Sequence, residues 1–253
     1  VPGAVVSMRL KCLTCEALAR VTYYCAARSS QTVDIELLRI GLHNSPAELR
    51  GTLQERIDHA ASHDYDAVVL VYGLCGQSTA GLHARGVPLV IPRAHDCITL
   101  FLGGRKRYRE EFDTCPGTYW YTADYVQRAT DSETIMALGT DADEEAHRMY
   151  REIAEKYGEA NAAYLLESMG AWHEHYRRAV FIDMGIGDST AVERQTRQEA
   201  ARRDWSFDRI AGDSRLVQRL LDGEWEDYFL VVQPGDRIAE TYNDDIVESI
   251  PGD

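Results

Sequence analysis

A chain of 253 residues with a formal net charge of −14 and a pI near 5.0 lacks the basic face that non-specific nucleic-acid binding needs, so nucleic acid is not an expected partner. Its length and its 45% hydrophobic content suffice for a substantial core, in one domain or two modest lobes. No stretch reaches the roughly 18 consecutive apolar residues of a membrane span, and the opening VPGAVVSMRL lacks the pattern of an export signal, so the expected location is cytoplasmic, with no membrane contact and Met8 as the native start.

In chain order, AVVSMRLKCLTC (4–15) reads as a first strand, and EALARVTYYCAARS (16–29) has helical spacing. TVDIELLRI (32–40) reads as a second strand, ending at GLHNSP. PAELRGTLQERIDHAA (46–61) is an amphipathic helix with Pro46 in its first turn. YDAVVLVYG (65–73) reads as a third strand, apolar through its middle as a parallel strand covered on both faces should be. Leu82–Arg85 gives at most a short helix, VPLVIP (87–92) a fourth strand, and ITLFLGGRKRYREEF (98–112) is helical in part. From about Asp131 to Arg178 the spacing is helical. Strand and helix then alternate again: AVFIDMG (179–185), TAVERQTRQEAARRDW (190–205), FDRIAGD (207–213), SRLVQRLLDGEW (214–225) and a last strand in DYFLVVQPG (227–235).

The alternation predicts an α/β fold of two Rossmann-like lobes with parallel sheets, joined by a helical middle segment. An N-terminal lobe (1–130) carries the site, a helical connector covers 131–178, and a C-terminal lobe covers 179–253, with the functional cleft between the lobes at the carboxyl edge of the first sheet.

Open parallel sheets bind ligands at the carboxyl ends of their strands. Cys15 ends the first strand, His43 follows the second, Cys75 follows the third, and His95 and Cys97 follow the fourth. Neighbouring strands lie roughly 4.8 Å apart, so these three thiols and two imidazoles can meet at one ion or cluster. Cys15, Cys75 and Cys97 are therefore the expected metal ligands. A single cysteine near a strand is ordinarily a small buried hydrophobe, and Cys12 reads that way, while Cys115, before the turn in DTCPGTYWY, is expected to be structural. Cys25 lies about 15 Å from Cys15 along a continuous helix. It reaches the same site only from a broken helix or from a neighbouring subunit, which keeps a homodimer open.

His95, in RAHDC, is the favoured proton-transferring residue, with Asp96 and Glu16 beside it as further candidates. Tyr72, His43, Arg93 and the basic run GGRKRYR, with Arg105 and Arg107, are expected to receive a small anionic substrate. The basic run reads equally well as a solvated helix face paired with Glu110 and Glu111. IDMGIGDST places Gly185, Gly187 and Ser189 in a generic anion-binding turn without the full dinucleotide pattern.

CEALAR…YYCAARS, YGLCG, LVIPRAHDCITLFLG and PGTYWYT together resemble one bacterial and archaeal family, catalogued as domain of unknown function sixteen thirty-eight, over about residues 8–235. The resemblance implies family cysteines at Cys15, Cys25, Cys75 and Cys97, which adds Cys25 to the candidate ligands. It also implies a setting near corrinoid-dependent methyl-transfer systems of methylotrophs and methanogens, so a corrinoid methyl-transfer protein is kept open as a partner. Gln77-Ser78 departs from the asparagine-glycine that follows the cysteine-glycine pair in many relatives.

Three functions fit these readings. The first is an iron–sulfur enzyme, a lyase or transferase, with an open iron acting on a small anionic substrate. The second is a zinc–thiolate protein in methyl transfer to a thiol. The third is an accessory protein that carries a metal or cofactor without catalysis.

Overall fold

The run Ala67–Val71 is buried at every position and forms β3, the middle strand of a five-stranded sheet. The structure, a computed structural model, describes residues 7–128, 176–241 and 243–252, so the expected helical connector falls almost wholly outside the described residues. The chain divides into two units: Val1–Tyr108 with Met184–Gly187 and Ala211–Asp253, and Arg109–Asp183 with Asp188–Ile210.

In the first unit, β1 (Arg9–Cys15) pairs in parallel with both β2 (Thr32–Leu38) and β3, and β3 pairs in parallel with β4 (Leu89–Pro92). The chain steps outward from β1 to β2 and then returns past β1 to β3, so the topological switch point lies between β1 and β3. α1 (Ala19–Ala26) covers one face, where the Thr14 and Thr22 hydroxyls meet at 3.2 Å. α2 (Pro46–Ala60) covers the other. Its Leu49, Leu53, Ile57 and Ala60 recur at helical spacing and share a core with Leu13, Val68, Leu70, Leu89 and Ile91. Each fully buried aliphatic side chain there contributes on the order of 2 kcal/mol.

The predicted strands and helices of the first half thus form, as an α/β arrangement. The end of the chain does not follow the predicted division. The FLVV run forms β8 (Phe229–Val232), which pairs antiparallel with β4, Leu89 opposite Val232 and Pro92 opposite Phe229. Residues 211–253, expected in a second lobe, therefore belong to the first unit, and its sheet is mixed rather than wholly parallel. Two further strands, β9 (Asp236–Glu240) and β10 (Val247–Pro251), form an antiparallel ribbon whose Ile238 and Val247 enter the same core. His83 bridges to Arg237 of β9, so Leu82–Arg85 is held extended rather than helical.

In the second unit, β5 (Thr118–Tyr121) pairs in parallel with β6 (Arg178–Asp183), and β7 (Ser206–Ala211) lies beside β6. After β5 comes α5 (Ala123–Arg128), and α6 (Thr190–Arg202) joins β6 to β7. Tyr119, Tyr121, Phe181, Val192 and Ala200 form its core, and the Tyr119 ring meets Tyr176 edge-on at 4.3 Å. α7 (Arg215–Asp222) returns to the first unit, buries Leu216, Val217, Leu220 and Leu221, and stops at Gly223, whose φ of +82° a side chain would disfavour. Among the described residues no helix is long and apolar enough to cross a membrane.

Candidate thiol site at the sheet edge

The loop after β3 lies directly against the loop after β4. The amides of Leu74 and Cys75 donate to the carbonyls of Ala94 and His95, both at 2.8 Å. Gly73 makes this approach feasible: a Cβ there would stand 2.7 Å from the Asp96 nitrogen and 2.9 Å from the Ala94 oxygen, both backbone atoms. The loop then turns through three consecutive left-handed residues, Cys75 (φ +47°), Gly76 (φ +62°) and Gln77 (φ +69°). For the two that are not glycine this costs roughly 1–2 kcal/mol each. Local bonds hold the turn: the buried Ser78 and Thr79 hydroxyls donate to the Cys75 and Gly73 carbonyls at 2.6 and 3.2 Å, and Arg50 of α2 reaches the Gln77 carbonyl at 2.7 Å.

This turn brings Cys75 toward the thiols at the ends of its two neighbours. Burial pushes the Cys75 thiol up to about 12, and negative charge on Asp96 and Cys15 pushes it further. Burial also raises Cys97 well above an ordinary thiol, and Cys75, Asp96 and Cys15 add to the rise. Three sulfurs from three strand ends thus lie within electrostatic reach of one another on the edge next to the switch point. They are not drawn into a single-ion cage. Among the described residues no group of three or more His, Cys, Asp or Glu side chains is gathered to hold one metal ion.

Tyr72 stands beside these thiols. Its ring is buried, and burial together with negative charge on Cys15 and Cys75 raises its hydroxyl well above the usual value. That hydroxyl is enclosed and has no hydrogen-bond partner.

Asp96 caps α3 (Cys97–Phe101), its Oδ1 accepting from the Thr99 amide at 3.1 Å and the Thr99 hydroxyl at 3.3 Å. Burial raises the Asp96 carboxyl, while these bonds and nearby His95 lower it. Tyr108, in α4 (Arg105–Thr114), hydrogen-bonds to the same carboxylate. The His95 side chain is exposed while its backbone is held by Cys75.

The remaining candidates are dispersed. Glu16 opens a 3-10 turn directly after Cys15 and accepts the Ile40 amide at 2.9 Å, which joins the ends of β1 and β2. Its charge is felt by Tyr72, so it borders the site. His43 lies partly exposed in a 3-10 turn after β2. Arg93 is engaged elsewhere: its Nη1 donates to the Val247 carbonyl at 2.5 Å and the Asp245 carbonyl at 3.1 Å, so it anchors β10. Arg107 acts on the Asp213 carboxylate, after Arg215, and Arg105 is the partly exposed first residue of α4. Cys25 faces α7, its thiol against the Ser214 carbonyl at 3.8 Å and its carbonyl taking the Gln218 amide at 3.2 Å. Its charged neighbours are Asp222 and Arg28, not the three clustered cysteines. Cys12 is core and Cys115 sits in its own turn against the Gly117 carbonyl, as the sequence predicts. In the glycine turn before α6, the Asp188 carboxylate already accepts the Thr190 amide at 2.9 Å, so a negative group occupies the expected anion position.

A family model described as a protein of unknown function, DUF1638, matches residues 37–221, nearly three quarters of the chain. The chain belongs to the DUF1638 family. The matched stretch is narrower than the resemblance read from the sequence; within DUF1638 lie His43, Tyr72, Cys75, His95, Asp96 and Cys97, whereas Cys15 and Cys25 precede the match. No curated protein and no solved structure matches the chain. Gly73, Thr99 and Tyr108, which shape this DUF1638 site, are not singled out by the sequence. The glycine in YGLCG was the available signal for a close backbone approach, while Tyr108 is recruited from the basic helix and carries no local signature.

Proposed function

We propose that this DUF1638 protein holds an iron–sulfur cluster through Cys15, Cys75 and Cys97 and leaves one iron position open to a small anionic substrate. The observation that carries this reading is that Cys15, Cys75 and Cys97 end or follow three adjacent strands, β1, β3 and β4, with the Cys75 amide bonded to the His95 carbonyl two residues before Cys97. Cys15 and Cys75 pack, partly buried, against the core of the first unit, and thiolates gathered at one sheet edge without a cation would repel one another. A polynuclear cluster spreads its thiolate sulfurs further apart than one zinc does, so it asks for a less tight convergence of the three thiols. The Cys15, Cys75 and Cys97 thiols must lose their protons on loading, so retention strengthens with rising pH.

In this reading Asp96 and His95 handle protons next to the open position, one partly buried and bonded to Tyr108, the other exposed. Glu16 positions the start of the helical segment after Cys15. Arg105, at the start of α4, supplies positive charge for an anion, while Arg107 acts on Asp213. A corrinoid methyl-transfer protein as partner belongs to the zinc–thiolate alternative, in which the same cysteines activate a substrate thiol.

Anaerobic purification followed by iron, sulfide and zinc analysis tests the reading. Iron and acid-labile sulfide in a brown protein support it. Stoichiometric zinc in a colourless protein replaces it with the zinc alternative. No metal, with all thiols freely titratable, overturns both.

A further inference from the structure

Tyr72 poses a distinct problem. It follows β3 directly, its residue is 3% exposed, and its hydroxyl is enclosed without a donor or acceptor in reach. Buried polar groups are almost always satisfied, and an orphaned one is costly. A phenylalanine would fill the same volume without that cost, so packing alone does not account for the oxygen. The hydroxyl also sits where negative charge on Cys15 and Cys75, and on Glu16, reaches it. None of those groups accepts its hydrogen in the structure, so the chain itself leaves this donor unsatisfied beside the cysteines.

We infer that the Tyr72 hydroxyl is a positioning donor whose acceptor is an inorganic sulfide of the cluster proposed for Cys15, Cys75 and Cys97, an inference that rests on that reading of the site. Hydrogen bonds to the sulfurs are one of the means by which a protein sets a cluster's reduction potential, and groups that orient a centre from outside its ligand shell govern its retention. The bond stabilises the more negative, reduced cluster more than the oxidised one. Losing it therefore lowers the reduction potential. In the metal-free chain the same hydroxyl stabilises nothing.

The test is Tyr72→Phe in the full chain, compared with wild type in three measurements: thermal unfolding of the metal-free protein, loss of visible absorbance to a chelator after anaerobic reconstitution with ferrous iron and sulfide, and potentiometric titration of the reconstituted protein. The expected variant unfolds metal-free at the same or a higher temperature, loses its iron roughly 10–100-fold more readily, and titrates at a more negative potential. Unchanged retention and potential in the variant overturn the inference and leave the cluster reading standing. A variant that fails to fold, or melts lower without metal, also overturns it, because the hydroxyl then has a structural partner. If wild type takes up no iron and sulfide, the cluster reading fails first and this inference with it.

Discussion

The amide of Cys75 donates to the carbonyl of His95 at 2.8 Å, tying the turn after β3 to the loop that carries Asp96 and Cys97. One backbone bond thus links two of the three clustered thiols. The arrangement depends on main-chain proximity more than on any side-chain contact.

Gly73→Ala is the direct probe of that proximity. The added methyl would collide with the Asp96 and Ala94 backbone, which cannot rotate away. We expect about 1–3 kcal/mol of destabilisation in denaturant unfolding, with lost metal retention. A variant as stable as wild type that still retains metal would show that the two loops can part without consequence.

The cysteines should separate into two classes. Cys15→Ala, Cys75→Ala and Cys97→Ala are each expected to abolish metal retention, whereas Cys115→Ala and Cys25→Ala leave it unchanged. Cys25 is the informative member, because family resemblance includes it among the ligands while its thiol packs against Ser214 of the α7 end. Iron content per chain after anaerobic reconstitution decides the matter, and loss of iron in Cys25→Ala would reassign that residue.

Alkaline pH should weaken the metal-free fold through Cys25. Burial raises its thiol from 9.0 to about 11. The unfolded chain then releases this proton near pH 9 while the folded chain keeps it. The stabilisation is fully present below pH 9 and is lost as pH rises through 11, amounting to about 3 kcal/mol. Unfolding free energies measured between about pH 8 and about pH 11 should fall less steeply in Cys25→Ala than in wild type. Parallel slopes in the two proteins would refute this linkage.

Arg93→Ala should loosen the C-terminal ribbon and spare the thiols. The guanidinium donates to the carbonyls of Asp245 and Val247, and such charged hydrogen bonds contribute roughly 1.5–3 kcal/mol. Hydrogen exchange should accelerate across β10 while iron retention is kept. If retention falls and β10 stays protected, Arg93 serves the site rather than the scaffold.

The parts of the fold legible in the sequence are those where one physical signal dominates. AVVLV can only be a strand covered on both faces, and Leu49, Leu53 and Ile57 mark the face of α2 without ambiguity. FLVV is equally clear as a strand, but its apolar run carries no information about its neighbour, so its antiparallel place beside β4 was hidden. DRIAE and VESIP alternate weakly and are half polar, which concealed β9 and β10. At the site, strand-end cysteines were readable because a parallel sheet places ligands at that edge. The orientation of Cys25 toward α7 was not, because α7 arrives almost two hundred residues later in the chain.

The mixed sheet sets an order of events during synthesis. The loop before Cys97 is held through the Arg93 amide by the Tyr228 carbonyl. That partner leaves the ribosome about 130 residues after Cys97, which at elongation rates of about 5–20 residues per second is roughly 7–26 s. Throughout that interval the nascent chain carries Cys15, Cys75 and Cys97 while the edge of β4 is open. Insertion of a metal centre is therefore expected to wait until Tyr228 has emerged, and ribosome-arrested chains ending before Tyr228 should bind iron no better than the unfolded protein.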